Sequence, residues 1–319
     1  MNNKVCVAIT GGAGFVGRHL ARDLVSRGHE VVLIGRGKDV RDESIYKLAG
    51  VRFFASDLSD ARELRQAFSG CDAVAHCAGI NREIGAQTYR QVHVEGTRHV
   101  FEAACRASVR KIVLLSFLRA RPNCGSAYHE SKWAAEEIVR ASGLDYTIFK
   151  AGVIYGRGDH MLDHLSHALY TFPIFGLVGM REKPIRPLAV EDLVVAIWAS
   201  FQDARLSNKT VSITGPEEIA LSEAVRRVGH VIGRNPLYVR MPLVLQKIIA
   251  GIAERTMKIP LLSLAQLRIL SEGIVEALPA CGSLPADLLP ITRFTTEQIQ
   301  KGLPEPGSFG LRDLRCCDT

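Results

Sequence analysis

No apolar run in this 319-residue chain reaches the ~20 residues that a bilayer-spanning helix needs, so no membrane-embedded segment is expected. Lys and Arg never gather into a dense block, and no basic stripe is interleaved with aromatics, which argues against nucleic-acid binding. Eight cysteines are present, but none forms a CxxC pair or falls at the Cys/His spacing of a metal site, so no metal is expected. Their scatter suits a reducing, cytoplasmic setting, with Cys6 and Cys77 as buried thiols of core strands and Cys316 and Cys317 in the tail. Internal repeats and low-complexity segments are lacking. Lys4 leads straight into the first predicted strand, so no signal peptide is expected either.

The residues that are present are ordinary in amount and informative in order. A hydrophobic content of 47% and a charged content of 23% describe a globular chain with ample core. The net charge of +7 favours anionic ligands such as nucleotides. Near the start, the apolar run 5–9 precedes Thr10-Gly-Gly-Ala-Gly-Phe-Val-Gly17, and Leu20 and Leu24 continue in helical register. A strand, a glycine-rich turn and a helix in that order make a phosphate cradle. Gly11 permits the tight turn, Gly14 lets the backbone approach a pyrophosphate, and Gly17 lets the helix pack on the strand. The helix N-terminus offers N–H groups and partial positive charge to the anion. This pattern predicts a dinucleotide-binding unit.

Apolar runs alternate with helical patterns as far as residue 150. Strands are predicted at 5–10, 30–34, 51–55, 73–76, 111–116 and 146–149, with helices between them at 61–68, 89–107 and 131–141 among others. The alternation predicts an α/β fold with a doubly wound parallel sheet covered on both faces. After Gly152 the rhythm loosens, with Pro173, Pro184 and Pro187, a helix from about Val190, a short strand at 211–214 and helices over 235–280. The expected organisation is therefore a nucleotide domain, 1–152, and a smaller substrate-side lobe, 153–319, interleaved with the sheet.

Ser116 ends the fifth predicted strand, at the edge where ligands bind, and Tyr128-His-Glu-Ser-Lys132 follows on a helix. Tyr and Lys at i and i+4 share one helical face. A phenol with a pKa near ~10 is a poor base until a nearby ammonium favours its phenolate. Lys132 is placed to do that and to hold a ribose, while Ser116 would hydrogen-bond a substrate oxygen. Tyr128 would exchange a proton with a carbonyl or alcohol oxygen as hydride moves to or from a nicotinamide. A second YxxxK match, Tyr146–Lys150, falls in a predicted strand, where four residues span ~13 Å and the two side chains cannot cooperate.

The glycine turn, Ser116, Tyr128–Lys132, Asp57-Leu58, His76-Cys-Ala-Gly79 and Val153-Ile-Tyr-Gly-Arg-Gly158 together resemble the short-chain dehydrogenase/reductase superfamily. The glycine spacing and the later lobe resemble its extended and atypical branches, the epimerases and dehydratases among them. The compact Ser–Tyr interval and Arg186-Pro-Leu-Ala-Val-Glu-Asp192 are similar to the branch related to the NADPH-binding accessory subunit of respiratory complex I. The resemblance implies a Rossmann fold, with Phe15 and Val16 at the pyrophosphate, Asp57 and Leu58 flanking the adenine, and Ala78 along the adenosine. Asp57 also reads as a turn or helix-cap residue, since Ser59 and Asp60 follow. Two departures stand out: His93 where the family often has Asn, and Lys150-Ala151 where extended members tend to carry Arg-Pro.

Sites that prefer NAD place Asp or Glu at the end of the second strand. Here that strand ends Ile34-Gly35-Arg36, and Arg36 suits a 2′-phosphate, so NADP(H) is favoured over NAD(H). Lys38 and Arg41 share the loop, and Asp39 stands as the alternative acid. The substrate expected is a small hydroxyl or carbonyl compound, with Tyr155, Met161, Phe172, Phe175 and Met180 as candidates for an apolar pocket. His160, His164 and His167 recur at helical spacing and read as surface or satisfied residues rather than metal ligands. Residues 240–270 mix Leu and Ile with Arg240, Lys247, Arg255, Lys258 and Arg268, which reads either as a packed lobe or as a peripheral membrane contact. The leading expectation is an NADP(H)-dependent oxidoreductase. Its rivals are a nucleotide-sugar epimerase or dehydratase with tightly held NAD, and a non-catalytic NADPH-binding subunit or assembly factor of a respiratory complex. The oligomeric state stays open.

Overall fold

The structure, a computed structural model, describes residues 4–37, 40–257 and 262–310. Lys38, Asp39, Lys258, Cys316 and Cys317, singled out above, lie outside those residues, as does the Arg41 side chain.

In chain order the first elements are β1 (Cys6–Thr10), α1 (Phe15–Ser26), β2 (Glu30–Gly35), β3 (Val51–Ala55), α2 (Ala61–Phe68), β4 (Ala73–His76), α3 (Gly96–Arg106), β5 (Lys111–Phe117), α4 (Ala127–Arg140) and β6 (Asp145–Ala151). There follow β7 (Ile154–Tyr155), α5 (His160–Thr171), β8 (Ile174–Val178), β9 (Pro184–Ile185), β10 (Leu188–Ala189), α6 (Val190–Ser200), β11 (Lys209–Ile213), β12 (Ile219–Ala220) and α7 (Leu221–Val231). The last are β13 (Leu237–Met241), α8 (Leu243–Thr256), α9 (Leu264–Glu272), β14 (Gly282–Ser283) and α10 (Thr296–Gly302).

These elements divide between two compact units. The first holds the residues up to Ala151, Val190–Ile213 and Glu276–Leu289. The second holds Gly152–Ala189, Thr214–Val275 and the residues from Pro290 on. α6, β11 and β14 follow residue 152 in sequence and belong to the first unit.

The first unit is an eight-stranded sheet in the order β3-β2-β1-β4-β5-β6-β11-β14, parallel throughout. It is the Rossmann-like α/β fold that the β/α alternation predicts. β1 and β4 are buried along their whole length, as befits the centre of a parallel sheet covered on both faces. The strand order reverses between β1 and β4, so the carboxyl ends of those two strands open the ligand crevice. Cys6 is buried as expected, and its Sγ lies 3.4 Å from that of Cys71, whereas Cys77 falls just past β4 and is only half-buried.

The second unit pairs β7 with β10 and β8 with β13 in parallel, and β9 with β12 antiparallel. Tyr155 is part of its core: the ring meets Phe294 edge-on at 4.8 Å and the hydroxyl donates to the Arg293 carbonyl at 3.0 Å. Asp159 caps α5, accepting from Leu162 N at 2.7 Å and Gly156 N at 2.6 Å. The helices predicted over 235–280 are present as α8 and α9, but β13 precedes them, because its register with β8 supplies backbone partners that sequence periodicity does not reveal.

Candidate functional site

The glycine turn between β1 and α1 is held by close backbone contacts. Gly11 has φ +69°, and a Cβ there would lie 2.8 Å from the Ala78 backbone. A Cβ on Gly17 would lie 2.4 Å from the Gly11 carbonyl oxygen, and one on Gly14 would lie 3.0 Å from that same atom. The turn is thus interlocked with the segment after β4, and any side chain at these positions would fill the cradle. Phe15, Val16 and Gly17 open α1, so their N–H groups have no carbonyl four residues back within the helix. These features fit a pyrophosphate, the anionic part of a nicotinamide dinucleotide.

Arg36 follows β2 and is exposed. Asp57 accepts from Ser59 N at 2.9 Å, the turn that the sequence offered as one of two readings. Hydrogen bonding from Ser59, with Arg36 nearby, holds its carboxyl below the usual range. A carboxylate has two oxygens, so the turn leaves the adenine reading compatible. Leu58 has φ +71° and a buried side chain, and its carbonyl meets a ring nitrogen of His99 at 2.8 Å. Ala78 is half-buried beside the turn.

Tyr128 and Lys132 both lie in the first half of α4, as the i, i+4 spacing predicts, and both are buried. Four rings surround Tyr128: Tyr89, His93, Phe117 and His129, with centroids 5.5–5.8 Å away. Burial pushes its phenol up, not down, and Tyr89 adds to the effect. The sequence argument had Lys132 favouring the phenolate; here desolvation decides and the protonated phenol is the stable form. Burial likewise pushes the Lys132 ammonium down to about 8, against smaller opposing effects of Cys77 and Glu136. Its Nζ donates to the Leu115 carbonyl at 3.3 Å, and a Cβ on Gly79 would lie 3.0 Å from it.

Ser116 is engaged with a third residue of the same helix. Its hydroxyl donates to Glu136 Oε1 at 2.5 Å, and the next residue along β5, Phe117, is the one that packs against Tyr128. Glu136 is fully buried and also meets Arg140 Nη2 at 2.6 Å and Lys150 Nζ at 3.7 Å. Lys150 donates to the carbonyls of Ala120 at 2.7 Å and Leu278 at 2.9 Å. The hydroxyl expected to hold a substrate oxygen thus donates to a buried carboxylate. The residue at the unexpected Lys150 position completes that carboxylate's surroundings.

Sequence reasoning treated His93 as a departure without giving it a task. The helix predicted from Tyr89 opens instead with a turn of π-helix, Arg90–Glu95, in which Gly96 N donates to the Gln91 carbonyl. That turn carries His93, whose charged form burial suppresses, pushing it down to about 2. Its Nε2 accepts from Ile80 N at 3.1 Å, so Nδ1 carries the proton and donates to Ser131 Oγ at 2.8 Å. Ser131 in turn donates to the Tyr128 carbonyl at 2.9 Å. A parallel chain runs from Thr10 to His76 Nδ1 (2.6 Å) and from His76 Nε2 to Thr97 (2.9 Å), and Thr97 donates to the His93 carbonyl at 2.5 Å. The end of β1, the end of β4, α3 and the start of α4 are thereby fixed to one another. Glu136 had a legible signal, since it lies one turn beyond Lys132 on the same helix face. His76 was visible only within the His76–Gly79 segment of the family resemblance, without a task of its own, and Thr97 had no signal.

The candidate pocket residues have different surroundings: Tyr155 is core, Phe172 and Met180 are exposed, and Met161 and Phe175 are half-buried. His160, His164 and His167 all lie on α5. Among the described residues no cluster of His, Cys, Asp and Glu could hold a metal, and no helix is long and apolar enough to cross a membrane.

Residues 11–162 match the NAD(P)H-binding family. The chain is 29% identical over 236 residues to ceramide reductase of Caulobacter vibrioides, covering 74% of this chain and 73% of that one. It is 24% identical over 301 residues to the mitochondrial NADH-ubiquinone oxidoreductase 40 kDa subunit of Neurospora crassa, covering 92% and 78%. Against a longer uncharacterized protein of Mycobacterium tuberculosis the match spans 24% of that chain. Among solved structures, UDP-glucuronic acid 4-epimerase of Bacillus cereus, in complex with UDP-glucuronic acid and NAD, superposes with a TM-score of 0.69 at 14% identity, over 93% of this chain and 97% of that one.

Proposed function

From the premise that residues 11–162 form an NAD(P)-binding domain, we propose that the protein is an NADP(H)-dependent reductase of the short-chain dehydrogenase/reductase type, acting on the carbonyl of a small substrate. The bound nicotinamide would supply the hydride. Gly11, Gly14, Phe15, Val16 and Gly17 would hold its pyrophosphate through backbone N–H groups, Asp57, Leu58 and Ala78 would frame the adenosine, and Lys132 would hold a ribose. The observation that carries the reading is the buried Tyr128 phenol, kept protonated one helical turn from Lys132. A protonated phenol in a water-poor site is a proton donor, which suits carbonyl reduction more than alcohol oxidation. The reductive name of the Caulobacter relative supports the same direction. In this reading Ser116 is a positioning residue, holding Glu136 rather than substrate.

Tyr128→Phe is expected to cut NADPH-dependent turnover by roughly 10²–10⁴-fold while leaving NADPH affinity in place. Unchanged turnover would remove Tyr128 from the chemistry. Arg36→Ser is expected to weaken NADPH by about tenfold and leave NADH unaffected, as the loss of a charged partner for the 2′-phosphate requires. Fluorescence titrations with both cofactors read this directly, and equal losses for the two would return the preference to NAD(H).

A second reading, a nucleotide-binding subunit without turnover, is favoured by one observation: the Neurospora subunit matches 92% of this chain, more than the Caulobacter reductase does. Mass spectrometry of dinucleotide released on denaturation separates the two readings. NADP(H) that exchanges readily supports the reductase, and NADPH retained through purification supports the subunit. Retained NAD⁺ would point instead to an internal-hydride epimerase.

A further inference from the structure

Helix α8 in the second unit is built inside out. Its inward positions are Gln246, Ala250 and Ala253, while Leu243, Val244, Leu245, Ile248, Ile249 and Ile252 face solvent. Val244 is 71% exposed, Ile248 56% and Ile252 55%, whereas Gln246 is 3% exposed. Rotation of the helix to hide the aliphatics is opposed by Gln246. Its Oε1 accepts from Gly179 N at 3.2 Å and its Nε2 donates to the Leu177 carbonyl at 3.0 Å, so turning it outward would leave two backbone groups unpaired. Residues 244, 248 and 252 lie one turn apart along a single stripe, with 245 and 249 beside them. The same unit adds Leu237 and Ile174, cross-strand neighbours in the β13–β8 pair, both exposed. An apolar surface locked outward in this way marks a docking face.

We infer that this face docks on an anionic lipid bilayer, with α8 lying in the interface. Charge identifies the occupant. Residues 237–257 contain Arg240, Lys247 and Arg255, all exposed, and one carboxylate, Glu254, which accepts from Leu264 N. Lys247 stands within the apolar stripe, where its ammonium would reach phosphate headgroups as the aliphatics enter the acyl boundary. The apolar members of the stripe are all aliphatic, which suits entry into the acyl boundary. This inference does not depend on the proposed reaction, because its readout is partition onto vesicles and not turnover.

The test is flotation of the full chain with phosphatidylcholine vesicles, made with and without phosphatidylglycerol. The protein is expected to float with the anionic vesicles and to stay behind with the neutral ones. Lys247→Glu should lower partition about fivefold or more, since one basic residue near an anionic surface is worth about 1 kcal/mol. Ile248→Glu and Ile252→Glu should abolish flotation while leaving the circular dichroism spectrum and melting temperature unchanged, as expected at exposed positions. Failure of the unaltered chain to float, or flotation untouched by Ile248→Glu, overturns the inference. Light scattering that shows a dimer split by Ile248→Glu also overturns it, and assigns the face to a second copy of the chain.

Discussion

α4 and α8 are both 14-residue helices, and both violate the simple rule of apolar inside, polar outside. α4 buries a tyrosine, a lysine and a glutamate; α8 buries a glutamine and exposes six large aliphatics. The two violations differ in whether the chain itself accounts for them. Every buried polar group of α4 just named except the Tyr128 hydroxyl has a partner within the first unit: Glu136 has Ser116, Arg140 and Lys150, and Lys132 has the Leu115 carbonyl. On α8 the buried Gln246 is equally well partnered, yet nothing described within the second unit covers the aliphatic stripe. A buried charge with partners is explained from within. An exposed apolar stripe has no such explanation among the described residues.

The comparison is broken most severely at Glu136. Glu136→Ala leaves the buried Ser116 hydroxyl without its acceptor and the buried Lys150 ammonium without its counter-charge, and is expected to cost about 3–5 kcal/mol in urea unfolding, the usual effect of removing one member of a buried pair. A loss below about 1 kcal/mol would mean that the α4 cluster is not a closed network.

A subtler probe is Lys132. Its folded pKa of about 8 lies below the ordinary 10.5, so between those values the unfolded chain binds more protons. The stability contribution of this group therefore rises with pH over that window. NADPH affinity should move the opposite way, falling as pH passes about 8, because the ammonium is the form that assists a polyanionic ligand. Urea midpoints and cofactor titrations across pH 7–10 would show the two trends crossing, and Lys132→Met should flatten both.

The smallest effect belongs to α8. Val244→Ser should change stability by no more than about 0.5 kcal/mol, since the side chain is already in water. A larger loss would show that the stripe is covered from within after all.

Much of the first unit was legible before any coordinates. Strands 51–55 and 73–76 and the helix at 61–68 agree with the sequence pattern to the residue, because each is a short segment closed by its own turn signals. Tyr128 and Lys132 were legible because helical spacing is a local property. Long-range partners were not. Glu136 was visible one turn beyond Lys132, but nothing near Ser116 paired the two, and the expected interleaving of the later lobe with the sheet did not say that 190–213 and 276–289 are the segments that rejoin the first unit. Parallel pairing links residues far apart in sequence, so its signal does not fall within any window. The inverted face of α8 was partly visible as a mixture of Leu, Ile and basic residues, but which side faces in was settled by Gln246, whose two partners lie 67 and 69 residues away.

The return of the chain to its first unit sets a timetable for synthesis. Lys150 leaves the ribosome with β6, but one of its two carbonyl partners, Leu278, lies 128 residues downstream. At a translation rate of about 5–20 residues per second, the nascent protein waits roughly 6–25 s for that carbonyl, with the β6 edge open until β11 emerges and the β11 edge open until β14 does. During that interval the young chain presents unpaired strand edges, the kind of surface to which holdase chaperones bind and at which neighbouring polysomal chains stick together.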